Sequence, residues 1–540
     1  MEPLNRRGFL AAAAGTALAG LLPGCSGARS HIGGGLVGSG AARGHMLRDG
    51  PPTGAAAVRD RAGVVIAGGG VAGLSAAWRL ARAGFDDFVL LELEDDPGGT
   101  AASGANGVSA FPWGAHYVPV PTREQRALCE LLREAGAIGG FDGSGRAIPV
   151  EDHLCRAPQE RVFDGHEWRE GLLESPGGGS ADSRALARFL AAMREFAGRR
   201  GPDGRRWFAL PVASCSSDPE ARALDGISMA EWMAREGHDA PGLRWYAEYA
   251  TRDDYGCLLG QASAWAGIHY FAARLAGPDD SGADFLTWPE GNGFLVRRLA
   301  RAAAGRVRTG AVVLSIDAGG DAGPAVVRWL DAATGTLRET EAERVVAALP
   351  RFAARRVVRG LDPAEPGFRA TPWAVANLTL RRRPSERGFP PAWDNVLAGS
   401  PSLGYVVATH QSDRAGTSSV WTWYRPYCGE DPAAERTRLS HSPWEAFRDA
   451  ALDDLLPAHP DLEECVERVD ARVWGHAMVR PEPGFLWGGA REAAALPRGR
   501  VHFAAADLGG LPLFEEAQWA GVRAAEEALA ALGRGGESLL

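Results

Sequence analysis

The residues best suited to chemistry are a glycine-rich turn and an acid that follows it along the chain. Gly68, Gly70 and Gly73 have G-x-G-x-x-G spacing, and Glu92 comes after the next apolar run. In such a turn the first glycine permits a tight bend, the second lets the backbone approach a pyrophosphate, and the third allows close helix–strand packing. A helix N-terminus attracts phosphate, and an acid about 20 residues further on accepts hydrogen bonds from ribose hydroxyls. The pattern predicts a dinucleotide site.

A pair of adjacent acids is the second candidate for chemistry. Asp253 and Asp254 lie in the sequence Arg-Asp-Asp-Tyr-Gly at residues 252–256. Paired carboxylates beside a tyrosine can hold a cationic substrate or move a proton. The same residues are also typical of a helix end with surface salt bridges, and the sequence alone favours that structural interpretation.

The elements around the glycine turn have the order that a dinucleotide fold requires. Residues 64–67 form an apolar run typical of a buried strand, and a helical pattern follows from Leu74 to Gly84. A second apolar run, 88–91, ends on Glu92. Strand, glycine turn, helix, strand and acid in this order indicate an α/β unit.

The remainder of the chain predicts a helical block and a second sheet. Residues 121–285 are mostly helical in pattern and interrupt the nucleotide-binding unit, whereas 371–427 alternate as strands do. Separate strands are expected at 336–339 and 344–349, and the helix 514–533 follows the last strand. An aromatic cluster in the second sheet, whose spacing indicates ordinary sheet packing, consists of Trp421, Trp423, Tyr424 and Tyr427.

Composition excludes several classes of partner. The 540 residues are 45% hydrophobic and 23% charged, as in a globular protein of two or three domains. The net charge is -9 without a basic, aromatic-rich cluster, so no nucleic acid is expected. The seven cysteines are scattered without C-x-x-C or Cys/His spacing, so neither a metal site nor a dithiol redox site is expected. All 58 basic residues are arginine, because the chain has no lysine.

The N-terminus has the pattern of an export signal. Residues 5–10, Asn-Arg-Arg-Gly-Phe-Leu, precede an apolar run to Leu22 that is too short to span a bilayer. The pattern resembles a twin-arginine signal peptide, and the residues ending at Cys25 resemble a lipobox. We therefore expect the twin-arginine machinery as a partner. The expected location is exported, either periplasmic or membrane-anchored through a lipidated Cys25.

Together these elements resemble the superfamily of flavin-containing amine oxidases, which includes protoporphyrinogen oxidases and phytoene desaturases. The motifs that carry the resemblance are Glu92 with the Gly-Gly-Thr of 98–100, the Trp-Gly-Ala-His-Tyr of 113–117, the strand 313–316 and the segment 503–521. The resemblance implies FAD as the cofactor. The residues expected to contact FAD are Gly68, Gly69, Gly70, Ala72, Gly73, Glu92, Gly98, Gly99, Thr100, Gly114, Ala115, His116, Val313, Asp507 and Ala517.

The resemblance assigns roles to several of these residues. The backbone of 114–116 would pass the flavin ring, and the Val313 backbone would hold the adenine. Asp507 would bind the ribityl–pyrophosphate region, and a helix starting near Ala517 would direct its N-terminus at the pyrimidine oxygen of the flavin. Thr100 stands where the superfamily usually has arginine.

The implied fold class is α/β, with a Rossmann-like, glutathione-reductase-like FAD-binding domain and an inserted mixed α+β substrate domain. The FAD-binding domain is expected at 62–120, 288–360 and 488–535, and the substrate domain at 121–287 and 361–487. Before them, 1–25 is the expected signal peptide and 26–61 a linker or arm.

The implied activity is an FAD-dependent oxidoreductase that takes a hydride from a small-molecule substrate and passes electrons to oxygen or a membrane acceptor. Candidate catalytic residues are His116, Tyr117 and Asp254. Members of the superfamily usually have a lysine that holds a water against the reactive flavin nitrogen, and this chain has no lysine. They also have two aromatic rings that flank the substrate nitrogen, and at the corresponding residues 485–486 and 513–514 this cage is only partial. Both departures weaken the assignment to simple amine oxidation. Two alternatives stay open: an FAD-dependent dehydrogenase or isomerase of an apolar, carotenoid- or porphyrin-like substrate, and a non-catalytic flavin-binding assembly partner.

Overall fold

A computed structural model describes residues 29–38, 40–173, 180–275, 284–320, 323–365, 367–412 and 416–540. The expected signal peptide and Cys25 lie outside the described residues. Within those ranges no helix has both the length and the apolar character needed to cross a membrane.

The glycine turn belongs to a seven-stranded, mainly parallel sheet. Its strands in spatial order are Val307–Arg308, Phe88–Leu91, Val58–Ala67, Thr336–Ala347, Ala325–Asp331 and Ala311–Asp317, with Val501–Phe503 also paired to Thr336–Ala347. The expectation of two strands over 336–349 was wrong. One strand runs through, because its register with Val58–Ala67 extends from Arg338 to Ala347. Its polar first half lies beyond the buried part of the sheet, which explains why the apolar pattern looked interrupted.

Two helices cover the centre of this sheet. Val71–Arg82 follows the glycine turn and buries Leu74 and Trp78, and the C-terminal helix Phe514–Ala531 crosses it. Gly521 lies at that crossing, where a Cβ would be 2.0 Å from the Ala72 carbonyl oxygen. The close approach of the two helices therefore requires glycine at this position.

An eight-stranded sheet forms the second layer. Its strands in spatial order are Gly33–Leu36, Val466–Val479, Ala370–Leu380, Ser419–Pro426, Tyr405–Val407, Asp394–Leu397, Glu160–Phe163 and Trp168–Glu170. Side chains of a strand alternate between its two faces. Trp421 and Trp423 pack in the core with Tyr405, as the sequence suggested, but Tyr424 lies on the opposite face.

The remaining elements surround the two sheets. Short strand pairs join Ser103–Ala105 to Ala110–Pro112, Tyr117–Pro119 to Phe285–Thr287, and Ile138–Phe141 to Ala147–Pro149. The further helices are Ala41–Asp49, Arg126–Glu134, Ala181–Gly198, Pro219–Ala223, Met229–Arg235, Pro241–Tyr255, Ala264–Ala272, Gly293–Ala302, Arg351–Val357, Pro432–Ser440, Trp444–Leu455, Leu462–Cys465, Ala490–Ala495 and Ala506–Gly509.

Of the segment expected to be a linker or arm, the structure describes residues 29–38 and 40–61. Gly33–Leu36 pairs in parallel with 468–471 at the edge of the eight-stranded sheet. Arg29 is held by Asp449, Asp453 and Glu463. The arm therefore begins in the eight-stranded sheet, and its last residues, from Val58, form part of the seven-stranded sheet.

Gly521→Ala tests the helix crossing. We expect a loss of about 1–3 kcal/mol in the free energy of unfolding, because the new methyl group must displace backbone. Chemical denaturation measures this loss. Gly198→Ala is the control: it lies at a helix end with nothing within 4 Å of the added Cβ, so it should be neutral or slightly stabilising. Equal stability of the two variants would contradict the crossing argument.

Candidate active site

The glycine turn is fixed by contacts between backbone groups. Gly68 has φ 101°, and a Cβ there would lie 2.3 Å from the Ala348 carbonyl oxygen. A Cβ at Gly73 would lie 1.9 Å from the Gly68 carbonyl oxygen. These two glycines are therefore required by the fold itself, as the fingerprint predicts for the bend and for the helix–strand packing.

Gly70 is different, because the space beside it is open. The nearest atom to a Cβ at this position would be the Gly99 Cα, 3.9 Å away. Gly70 is the N-cap of Val71–Arg82 and gives that helix no side-chain cap, so first-turn amides such as that of Ala72 face an uncapped end. Gly98 pairs with Gly70 across the gap. This open backbone cradle fits the pyrophosphate of FAD.

Glu92 stands where the ribose of a dinucleotide is expected. Its carboxylate accepts the amide of Gly69 at 2.5 Å and that of Glu94 at 2.8 Å. Burial raises the pKa of this carboxyl group. The strand that carries Val313 begins beside it, since the Ala311 amide donates to the Glu92 carbonyl at 2.8 Å. Glu92 and the Val313 backbone thus share one edge of the sheet, as the expected adenosine contacts require.

Asp507 lies at the same edge of the sheet. It follows the parallel strand Val501–Phe503 in the short helix Ala506–Gly509 and accepts the Arg351 amide at 2.6 Å. Burial raises its pKa to about 6. Because the carboxyl ends of parallel strands meet at one edge, Asp507 and the Gly68 turn face the same space.

Arg472 is a cofactor-side residue that sequence reasoning missed. It is 8% exposed, its guanidinium lies 4.1 Å from the Trp474 ring centroid, and a terminal nitrogen is 3.8 Å from Glu94. Its Nε has no hydrogen-bond partner among the described residues. Arg472 therefore offers positive charge beside Glu94 and close to Glu92. Its position in a strand of the other sheet gave no local signal.

The expected flavin segment opens onto a cavity, called here the inner chamber, of about 130 Å³. Thr100, Gly114, Ala115 and His116 are among its lining residues. Its apolar wall includes Trp373, Val375, Trp474, Met478 and Phe514. The titratable lining residues are His116, Tyr117, Asp253, Asp254, His269, Tyr270, Arg274, Tyr424 and Glu515.

Ala517 does not occupy the position expected for it. The helix begins at Phe514, and the Ala517 amide donates to the Leu513 carbonyl at 3.2 Å inside the first turn. The amides without an intrahelical acceptor are those of residues 514–516. The two pairs of residues expected to form the aromatic cage lie apart. Phe485 packs on Phe368, and Leu486 belongs to a core cluster. Leu513 and Phe514 line the inner chamber.

Two of the catalytic candidates, Tyr117 and Asp254, contact each other. The Tyr117 hydroxyl donates to Asp254 at 3.2 Å, and Arg274 donates to that hydroxyl at 3.1 Å and to Asp254 at 2.5 Å. Asp254 lies in the last turn of Pro241–Tyr255, which ends at the left-handed Gly256. The acid pair is therefore at a helix end, as one interpretation expected. The expectation that its salt bridge lies on the surface was wrong, because Asp254 is buried and pairs with Arg274.

His116, the third candidate, is neutral at neutral pH. Burial lowers its pKa to about 4. Its Nδ1 lies 2.9 Å from the Gly114 carbonyl oxygen, which can only accept, so Nδ1 carries the proton and Nε2 is left as an acceptor. The ring packs against Tyr424 and Trp393. His116 is therefore a neutral hydrogen-bond acceptor rather than a cation in this chamber.

A second cavity of about 310 Å³, the outer chamber, adjoins the first. The residues that line both chambers are His116, Tyr117, Pro119, Asp253, Tyr270, Arg274 and Tyr424. In the outer chamber Asp394 accepts the Tyr249 hydroxyl at 2.7 Å and the Tyr424 hydroxyl at 3.3 Å. Burial raises the pKa of Asp394 to about 7. A substrate can therefore extend from the flavin side past Tyr424 towards a second acidic region.

Gly70→Val tests the pyrophosphate cradle. The new side chain fits the apoprotein, because only Gly99 is near, but it occupies space that FAD would need. We expect FAD affinity to fall about ten- to hundredfold while the thermal midpoint of the apoprotein is unchanged. Equilibrium dialysis with FAD measures the change. Gly107→Val, at an open surface position, is the control, and equal flavin retention by both variants would contradict the cradle.

Glu516→Gln tests the cost of a buried acid outside the chamber. Burial raises the pKa of Glu516 to about 8, whereas an unfolded glutamate titrates near its ordinary 4.5. The folded protein therefore retains a proton that the unfolded chain has lost, and stability falls as pH rises through this interval. We expect the fall in thermal midpoint between about pH 5 and pH 8 to be smaller in Glu516→Gln. The exposed Glu343→Gln should match the wild type; if Glu516→Gln matches it too, the argument fails.

Comparisons with known proteins identify the family and the fold. The family described as flavin containing amine oxidoreductase matches residues 71–529. Putrescine oxidase bound to putrescine has a similar structure, with 18% identity, coverage of 87% of this chain and 100% of that one, and a TM-score of 0.61. Cyclohexylamine oxidase from Brevibacterium oxydans IH-35A has 17% identity, coverage of 86% and 99%, and a TM-score of 0.59.

A third similar structure has a different chemistry. The CLA-producing fatty acid isomerase from P. acnes has 15% identity, coverage of 85% of this chain and 97% of that one, and a TM-score of 0.58. No curated protein sequence matches the chain. At these identities the structures show the fold, and the family match covers most of the sequence. The chain therefore belongs to the flavin containing amine oxidoreductase family and is an FAD-dependent oxidoreductase of the α/β fold expected from its sequence.

Proposed function

We propose that the protein oxidises a cationic amine. The observation that supports this best is the excess of acids in the inner chamber, where Asp253, Asp254 and Glu515 accompany the guanidinium of Arg274. Arg274 pairs with Asp254, so two acids are left over. Since an opposite charge favours the ionised form of a carboxyl group, a bound ammonium ion would hold these acids as carboxylates.

Bound FAD supplies an acceptor for a hydride. In the proposed reaction FAD, held at the Gly70 turn and beside residues 114–116, would accept a hydride from the carbon next to the substrate nitrogen, and the nitrogen lone pair would form the C=N bond. The lone pair must first be freed by loss of a proton from the ammonium group. His116, whose pKa is lowered to about 4, is too weak a base to take that proton, whereas Glu515, whose pKa burial raises to about 7, lines the same chamber and is suited to accept it. Oxygen, which leaves as hydrogen peroxide, or a membrane acceptor would then take the electrons.

The apolar wall of the inner chamber favours a substituent without charge on the amine. Trp373, Val375, Trp474 and Met478 would contact such a group. The same wall supports the second candidate, a dehydrogenase or isomerase of an apolar substrate. That substrate would leave buried carboxyl groups without a partner, which is unfavourable. An amine with an apolar substituent satisfies both kinds of lining, and cyclohexylamine, the amine named for one of the similar structures, is of this kind.

We also propose that the protein is exported through the twin-arginine pathway. The support is the sequence pattern of residues 5–22 and the need to fold around FAD before translocation. Lipidation at Cys25 would anchor the mature protein to the membrane and place it near a membrane electron acceptor.

Anaerobic flavin reduction tests the proposed function. FAD-loaded full-length protein is mixed with a panel of primary amines that includes putrescine and cyclohexylamine, and with the corresponding alcohols as neutral controls. We expect an amine, but not its alcohol, to bleach the flavin, and air to restore the colour with peroxide if oxygen is the acceptor. Flavin that no amine reduces would overturn the proposal. Reduction by an apolar substrate instead would favour the dehydrogenase, and no reduction at all the assembly partner.

A further inference from the structure

We propose that Glu515 is the carboxylate that receives the substrate's ammonium group in the inner chamber. This inference rests on the proposed oxidation of an amine and assigns a ligand class to one side chain. The expected ligand is a primary or secondary ammonium ion, whose N–H groups can donate directly to a carboxylate.

The first argument is the hydrogen bonding of the acids. Glu515 is 6% exposed, and its Oε1 has no hydrogen-bond partner among the described residues. Asp254, by contrast, accepts from Tyr117 and Arg274, and Asp394 accepts from two tyrosines. A buried carboxylate oxygen without a donor is costly, so it requires an explanation. A donor brought by the substrate would supply one.

The second argument is position. Glu515 lies in the first turn of Phe514–Ala531, and the N-cap, Leu513, provides no side-chain cap. It lines the same chamber as Gly114 and Ala115, the backbone expected to pass the flavin ring. A cation bound at Glu515 would therefore share the chamber with the backbone that is expected to pass the flavin ring.

The third argument is charge. The charged groups that act on Glu515 are Arg274 and Asp254, while Glu516 is its neighbour in the chain. Arg274 is 2.5 Å from Asp254, so its charge is largely compensated there. Burial raises the pKa of Glu515 to about 7, and a cation at Oε1 would favour ionisation. Once ionised, Glu515 carries a negative charge that Arg274 does not compensate, which complements an ammonium ion.

The chain offers a matched control at the next residue. Glu516 is fully buried in the same helical turn, and its carboxylate accepts the Val212 amide at 2.6 Å. It does not line the inner chamber. A glutamine can accept the same amide, so Glu516→Gln makes an identical substitution beside Glu515 without changing the chamber wall.

The experiment uses tert-butylammonium chloride and tert-butanol as probes of the FAD-loaded protein. The carbon that bears nitrogen in tert-butylammonium has no hydrogen, so this cation binds without being oxidised. Calorimetry and the flavin absorption spectrum report binding. We expect wild type and Glu516→Gln to prefer the cation over the alcohol, and Glu515→Gln to lose at least about tenfold of that preference. Glu515→Asp, which keeps the charge, should retain part of it.

The outcomes separate this inference from the proposed function. Glu515→Gln that binds FAD and keeps the wild-type preference for the cation overturns the inference, as does a wild type without any preference. If Glu515→Gln fails to bind FAD, Glu515→Asp decides: loss of the preference in this charge-retaining variant would overturn the inference, and its retention would support it. A wild type that prefers the cation while no amine reduces its flavin would overturn amine oxidation but support cation binding at Glu515.

Discussion

The shape of the candidate active site depends on one buried ion pair, between Arg274 and Asp254. The two groups are 2.5 Å apart, with side chains 17% and 6% exposed, and Tyr117 bonds to both. Burial acts to lower the pKa of Arg274, but the charge of Asp254 and three nearby tyrosines outweighs it, so the net shift is upward. Leaving either charge unpaired would cost about 3–5 kcal/mol. The pair therefore fixes the end of Pro241–Tyr255 against the strand Tyr117–Pro119, where the inner and outer chambers meet.

The cofactor side is fixed by a different interaction, the contact of backbone with backbone. Gly73 approaches Gly68, and Gly521 approaches Ala72, at distances that no side chain tolerates. These contacts hold the glycine turn and the C-terminal helix in one rigid unit. Because Glu515 lies in the first turn of that helix, its position relative to the cofactor cradle follows from the same packing. The acid-rich wall and the dinucleotide turn are thus mechanically connected.

The sequence predicted the parts of the site that depend on local structure. Neighbouring residues in the chain identify the glycine turn, Glu92 and the strand before Asp507, because turn geometry and strand burial are local properties. No such local signal exists for Arg274, Glu515 or Arg472, because their roles come from contacts across the fold. Arg274, for example, binds Tyr117 and Asp254, which are 137 residues apart in the chain. For the acid pair the sequence left both a surface cap and a cation site open, because it shows the helix end but not what packs over it. The arm strand Gly33–Leu36 was missed for a related reason: glycine has little strand preference, and only the adjacent edge makes it a strand.

The absence of lysine determines what the basic group of the inner chamber can do. The cation of the inner chamber that the structure describes is a guanidinium, which stays protonated at any pH the protein meets and cannot accept a proton from the substrate. Burial keeps His116 neutral, whereas Glu515, whose pKa is raised to about 7, can change its protonation state. Positioning and charge recognition therefore belong to different side chains here: Arg274 sets the positions of Tyr117 and Asp254, and the carboxyl groups that Arg274 does not neutralise remain available to a cation. In a site built this way, the charge of the substrate itself completes the electrostatic balance.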